Sequence, residues 1–350
     1  MNFLEQRKKQ LGIKSIGEKV RDKTIKSEID TSLYVHGPEH FDHLTNRWAR
    51  KETMFILGGS GGGKTALTLY FFKEILQNNP DPNSICIFFS LELTEEQIYK
   101  NWKKVIGKNH ELSNRLYVVS NFDDEGKPRD ITTGGILAES LKIKNGLGAD
   151  VLCVALDHLQ IVCESSMNES INRVCGKLRQ ISVELDTLFI VLSQTTKVNQ
   201  AEYSDIPLFK SDGFGGSAIT WYATWIISIH QPLKRVYDEA RLPILAWSYV
   251  KIRYQDPKDG GVENKFKLMY YDVDTGTPRK MSRDELHLFN QYYALVIQKR
   301  EAEDKNKGRK IPSYDVKDTV MGFSTTEKAG MDVSELVIDS NLSELDDVEL

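Results

Sequence analysis

The chain has 350 residues, 40% hydrophobic and 27% charged, the balance of a soluble globular protein with one large or two modest domains. No apolar run reaches the roughly 18 to 20 residues a membrane helix needs. The N-terminal "MNFLEQRKKQLGIK" lacks a signal-peptide core, so a cytoplasmic protein is expected. The net charge of −4 conceals two poles: residues 1–26 hold eight Lys/Arg against three acids, and residues 331–350 hold seven acids and no base. Everything before residue 331 therefore sums to +3, and two separate interaction segments are the expectation. Cys86, Cys153, Cys163 and Cys175 show no CxxC pairing, and three lie in or beside apolar segments, so neither disulfides nor zinc is expected.

Residues 1–36 read as a basic arm or linker helix leading into an irregular segment. From residue 53 to about 275, short apolar runs recur: "TMFILGG", "SICIFFSLE", "RLYVVS", "DVLCVALDHLQIV", "LFIVLSQ", "TWIISIH" and "LAWSYVKI". Most are apolar almost throughout, as strands buried on both faces must be. Amphipathic stretches such as "TEEQIYKNWKKVIG" and "ESINRVCGKLRQISVEL" separate several of them. Strand and helix in alternation predict an α/β domain: a central, mostly parallel sheet flanked by helices. Beyond residue 276, Ser282 and Glu285 form a capping box ahead of the helical "LHLFNQYYALVIQKREAEDK". Residues 277–330 thus read as a helical extension and linker, and 331–350 as an acidic tail interleaved with Leu, Ile and Val.

One motif carries chemistry by itself. Gly58-Gly59-Ser60-Gly61-Gly62-Gly63-Lys64-Thr65 fits G-x-x-x-x-G-K-[ST] between an apolar strand and an apolar helix, the context that the phosphate-binding loop requires. Its glycines let successive backbone N–H groups face one concavity, and the helix N-terminus adds positive potential. Lys64 is expected to reach the β- and γ-phosphates of ATP, and the Thr65 hydroxyl to ligate Mg²⁺. Asp157, ending "VLCVALD", has the Walker B pattern of an acid that holds the same ion. Glu92 in "FFSLEL" is placed to act as general base toward water, whereas Glu95 and Glu96 suit the first turn of the next helix. Ser193 and Gln194 end another strand, where a Gln suits a γ-phosphate sensor; His158 is expected only to pack at its strand end.

The order and intervals of these motifs resemble the hexameric replicative helicases of the DnaB-like kind, built on a RecA-like P-loop ATPase core. The resemblance covers roughly residues 37–276 and includes Gly37, Phe41 and Asp42 ahead of the P-loop strand and "YVKIRY" late in the core. It implies Glu92 as catalytic base, Asp157 as Walker B acid and Gln194 as coupling residue. It also implies that Lys251 and Arg253 reach the neighbouring subunit's nucleotide, Arg253 as an arginine finger worth about 10³–10⁵ in rate. On the residues alone the two cations equally suit an exposed strand face, since alternate residues share a face. Single-stranded DNA would be gripped by pore loops; Lys197, Lys210, Gly213, Gly215, Gly216 and Ser217 are the candidates.

The resemblance further implies a ring hexamer moving 5′ to 3′, with a polymerase, primase, helicase loader or single-strand-binding protein docking on the acidic tail. Because the core begins near residue 37, no N-terminal collar or primase domain is expected. So economical a chain suits a virus, and hence a host cytoplasm. "GGSAITWYAT" also resembles a segment of RecA-type strand-exchange proteins. A recombinase forming filaments on DNA, or a non-translocating regulatory ATPase, therefore stays open as an alternative.

Overall fold

The structure is a computed structural model that describes residues 34–35, 38, 48–122, 126–129, 131–163, 168–194, 213–253, 266–303 and 314–315. The basic arm, the acidic tail and most of the 304–330 linker lie outside the described residues. A short ladder pairs β1 (Tyr34–Val35) with β2 (Trp48–Ala49). Among the described residues, ten further strands form one sheet. They are β3 (Thr53–Leu57), β4 (Ser84–Ser90), β5 (Leu116–Ser120), β6 (Asp150–Asp157), β7 (Leu188–Ser193), β8 (Trp225–His230), β9 (Ile244–Ile252), β10 (Phe266–Asp272), β11 (Thr277–Arg279) and β12 (Tyr314–Asp315). The spatial order is β11-β10-β9-β8-β3-β7-β6-β4-β5, with β12 beside β10.

All seven apolar runs become strands. β3, β4 and β7 are buried along their whole length because helices cover both faces. Alternate side chains enter different cores: Met54 and Ile56 face one side with Phe71, Phe72 and Trp102, while Phe55 and Leu57 face the other with Leu178 and Ile219. The helices are α1 (Lys64–Asn78), α2 (Glu95–Ile106), α3 (Thr133–Leu147), α4 (Asn168–Leu185), α5 (Gly216–Tyr222) and α6 (Arg283–Glu303), with shorter turns between. Thr94 and Gln97 form a capping box that starts α2, and Glu95 and Glu96 occupy its first turn as expected. Helix α3 is not among those that the sequence pattern marks. It contains Gly134, Gly135 and Gly146, which weaken a helical pattern, and it is held by its Thr132 cap.

The sheet is parallel from β5 to β8 and then turns antiparallel through β9, β10 and β11. The sequence pattern does not mark β10, β11 or β12. The Ser282–Glu285 capping box forms, and Arg279 grips Glu285 from outside at 2.6 and 2.9 Å. Helix α6 then packs Leu286, Phe289, Tyr293 and Val296 onto Ile244, Ala246 and Leu268, so this part of the extension shares a core with the sheet.

Two arginines tie distant segments together. Arg50 makes a bidentate pair with Asp150, at 2.5 and 2.9 Å, and also bonds the Asp186 carbonyl. Arg115 donates to the carbonyls of Leu76, Asn79 and Ser84, closing the C-terminus of α1 over the start of β4. Arg115→Ala leaves those carbonyls without their charged donor and is expected to lower stability by about 2 kcal/mol. A reduced urea midpoint at unchanged m-value checks this.

Candidate functional site: a phosphate-binding loop at the switch point of the sheet

Consecutive connections leave β3 and β7 in opposite directions, so the carboxyl ends of these neighbours form the crevice where open α/β sheets bind ligands. β3 delivers Gly58 there, and its N–H bonds the Ser193 carbonyl at the end of β7. The loop turns tightly through a Gly62 N–H to Gly59 carbonyl bond of 3.0 Å. Gly63 then caps α1 at φ +92°, a conformation that a side chain would strain. Lys64 is buried with its Nζ 3.0 and 2.9 Å from the Gly58 and Gly59 carbonyls. Burial pulls its pKa down, and the nearby Asp157 and Glu92 carboxylates oppose that.

Asp157 ends β6, two strands from β3, and is 1% exposed. Its Oδ2 accepts a 2.6 Å hydrogen bond from Thr65 Oγ1. Burial pushes the carboxyl pKa up, the Thr65 hydrogen bond holds it down, and Glu92 pushes it up further. A hydroxyl and a carboxylate converging beside a phosphate-binding loop are the hard oxygen donors that suit Mg²⁺, which keeps water and phosphate as its other ligands. Thr65 and Asp157 therefore fit that ion.

Glu92 follows β4 with its side chain 51% exposed, open enough to meet a substrate water, and its Oε2 lies 3.7 Å from His158 Nε2. Gln194 follows β7, and its carbonyl accepts from both Gln160 Nε2 (3.2 Å) and the Phe214 N–H (2.9 Å). Sequence reasoning passed over three residues here. His158 is not merely packed: its Nδ1 meets Gln160 Oε1 at 2.7 Å while Nε2 faces Glu92. Gln231, after β8, donates to the Gly61 carbonyl at 3.3 Å. The third, Gln160, carries no motif signal; only its place two residues after a strand-end His hints at a role.

A cavity of about 280 Å³ opens beside the first turn of α1, lined by Gly63, Ala66, Leu233, Tyr237, Leu242 and Tyr271. Its mainly apolar wall next to the phosphate loop suits the base and sugar of a nucleotide.

Lys251 and Arg253 lie elsewhere. In the β8–β9 register Ile252 stands opposite Trp225, whereas the β8 residue beside Leu57 is Ser228. The two cations are therefore at the sheet edge away from the chain's own phosphate loop. There they are not simply solvated: Lys251 Nζ donates to the carbonyls of Thr220 and Ala223, and Arg253 Nη2 to that of Trp221, closing the C-terminus of α5.

Of the candidate DNA contacts, Lys197 and Lys210 lie outside the described residues. Gly213 is buried against Leu57, and Gly215 caps α5 at φ +71°, where a Cβ would collide with Ile171 Cγ2. Both glycines thus have packing reasons to be there. Gly216 begins the helix, and Ser217 is exposed on its first turn.

The fold and site define a RecA-like P-loop ATPase domain. No protein-family model matches the chain. Two curated relatives are similar to it. The replicative DNA helicase DnaB of Mycoplasma pneumoniae is 23% identical over 246 residues, 63% of this chain and 50% of that protein. The replicative DNA helicase DnaB of Mycoplasma genitalium is 23% identical over 228 residues, 60% of this chain and 48% of that protein. The chain thus spans about half the length of the curated relatives it matches. Among solved structures, a DnaB-like replicative helicase described with its interactions with primase superimposes with a TM-score of 0.54 at 19% identity, covering 79% of this chain and 75% of that one. A second solved structure, an isolated ATPase domain, gives 0.55 at 19% identity, covering 76% of this chain and 99% of that one. Within the RecA-like class, the chain resembles the DnaB-like replicative helicases in both sequence and fold.

Asp157→Asn keeps a partner for Thr65 and removes the charge. It is expected to lower Mg²⁺-dependent ATP turnover by about a hundredfold or more, as loss of an electrostatic group at a reacting centre does. A Mg²⁺ titration of turnover checks this, alongside binding of a fluorescent nucleotide.

Proposed function

We propose that the chain is an ATP-driven DNA helicase motor that works as a ring, most simply a hexamer, on single-stranded DNA. The observation that carries this reading is the placement of Lys251 and Arg253 away from the phosphate loop of their own chain. About 10 Å of strand separates the β8 residue beside Leu57 from the one opposite Ile252, and Arg253 lies further still. A cation so placed serves a nucleotide only across an interface between copies, and the likeness to DnaB helicases supports that arrangement.

In this reading each residue has a task. The loop amides and Lys64 hold the phosphates, and the apolar cavity receives the nucleoside. Thr65 and Asp157 hold Mg²⁺, which when bound neutralises charge on the phosphates. Glu92 accepts a proton from the attacking water. Gln194, at the end of β7, senses the γ-phosphate. Arg253 from the next subunit leaves the Trp221 carbonyl and meets the charge that develops in the transition state, with Lys251 beside it. Hydrolysis would then move Ser217 and the loops holding Lys197 and Lys210 along the DNA backbone, 5′ to 3′ by likeness to the helicases. The acidic tail supplies a docking segment for a replication protein. The similar helicase structure described with primase makes a primase one candidate, beside a polymerase, a loader or a single-strand-binding protein.

Arg253→Ala is expected to cut turnover by about 10³ or more with nucleotide affinity within a few-fold of the unaltered protein. Mixing it with a Lys64→Ala chain should restore part of the activity, since each supplies what the other lacks. Mixed rings with no recovery would count against a shared site.

Electron microscopy with single-stranded DNA and a non-hydrolysable ATP analogue tests the assembly: closed or lock-washer rings are expected, and filaments that lengthen with the DNA would favour a recombinase. Deleting residues 331–350 should spare ATP turnover while weakening partner-dependent DNA synthesis, measured in a reconstituted reaction.

A further inference from the structure

Three polar side chains form a line across the carboxyl end of the sheet. The Glu92 carboxylate faces His158 Nε2 at 3.7 Å, His158 Nδ1 meets Gln160 Oε1 at 2.7 Å, and Gln160 Nε2 donates to the Gln194 carbonyl at 3.2 Å. The amide direction is determined by its partners. A carbonyl can only accept, so Nε2 of Gln160 must face Gln194, which leaves Oε1 toward His158 and makes Nδ1 the donor.

The line joins two segments of different function. Glu92 stands on the β4 side beside Lys64 and Asp157, and burial of the His158 ring, 12% exposed, holds it in one orientation toward that carboxylate. At the other end, the Gln194 carbonyl is also the acceptor for the Phe214 N–H, 2.9 Å away. One carbonyl therefore pins the chain on both sides of residues 195–212, and Gln160 is the side chain that reaches it from the catalytic carboxylate. Without Gln160, Glu92 and Gln194 would be connected only through backbone around the ends of β4, β6 and β7.

We propose that His158 and Gln160 are positioning residues that couple Glu92 to Gln194, so that a strand of DNA engaged beyond Gln194 sets how Glu92 stands toward the nucleotide. This rests on the DNA-driven ATPase proposed above. Pulling on Gln194 moves the Gln160 amide, which turns the imidazole and with it the carboxylate. Neither residue touches the nucleotide, so their effect belongs in turnover and in its dependence on DNA, not in nucleotide affinity.

The test is steady-state ATP turnover by the full chain, with and without an oligo-dT strand, for the unaltered protein, Gln160→Met and His158→Asn. Gln160→Met keeps the volume and removes both polar atoms. His158→Asn keeps a donor near the position of Nδ1 and removes the group facing Glu92. Both variants are expected to lose about tenfold in DNA-stimulated kcat, with the KM for ATP and the affinity for oligo-dT within about twofold. Thermal melting of each variant identifies one that does not fold, and the other then decides.

Stimulation retained by Gln160→Met or His158→Asn overturns the coupling and leaves the helicase reading intact. Equal losses with and without DNA, accompanied by a raised KM, overturn it as well, because that is the signature of general damage to the site. An unaltered protein that DNA does not stimulate overturns the helicase reading, and the coupling with it.

Discussion

The contact between Thr65 and Asp157 spans 92 residues of sequence at 2.6 Å, and the rest of the site depends on it. It forms because β3 and β6 end at the same level of a parallel sheet with only β7 between them. Any other strand order would leave the phosphate loop without its carboxylate. The arrangement also has a cost. Burial disfavours the charged forms of both Asp157 and Lys64, and each is kept ionisable chiefly by the other and by Glu92. A buried pair of this kind is poor at stabilising a fold by itself. It is well suited to a ligand that brings phosphate charge and a divalent cation together, since the charges already in place need little rearrangement when they arrive.

Strand β9 links the two ends of the molecule that matter. At its start, Ile244 and Leu245 line the cavity beside the phosphate loop; at its end, Lys251 and Arg253 close the last turn of α5 at the opposite edge. Its nine residues span about 30 Å, and it is clamped between β8 and β10 with α6 packed on one face. A rigid element of this length separates a nucleotide pocket from a pair of cations by a distance that no side chain can bridge. The geometry follows from the switch to antiparallel pairing after β8, which reverses the chain so that the end of β9 points away from the carboxyl edge of the parallel strands.

Much of this was legible in the residues. The seven apolar runs are strands because a strand covered on both faces must be apolar throughout, and that demand leaves an unmistakable trace. The phosphate loop was legible for a similar reason: its steric requirements act between residues adjacent in sequence, as at Gly63, and a short motif records them completely. The capping box of Ser282 and Glu285 is local in the same way. Strand β10 was harder to see, because "FKLMYYD" follows a polar, Gly- and Lys-rich stretch and places Lys267 in the sheet, while α3 hid behind three glycines.

The sequence by itself determined the α/β class, the phosphate loop and the identity of the acids at the strand ends, because each rests on spacing within a few residues. Only the tertiary structure decided that His158 and Gln160 stand between Glu92 and Gln194, that Gly215 is needed to clear Ile171, and that Arg253 closes α5 far from its own phosphate loop. Those facts come from strand order and register, which bring together side chains tens to hundreds of residues apart. No local pattern encodes such a meeting, since it is the packing of the whole sheet that selects it.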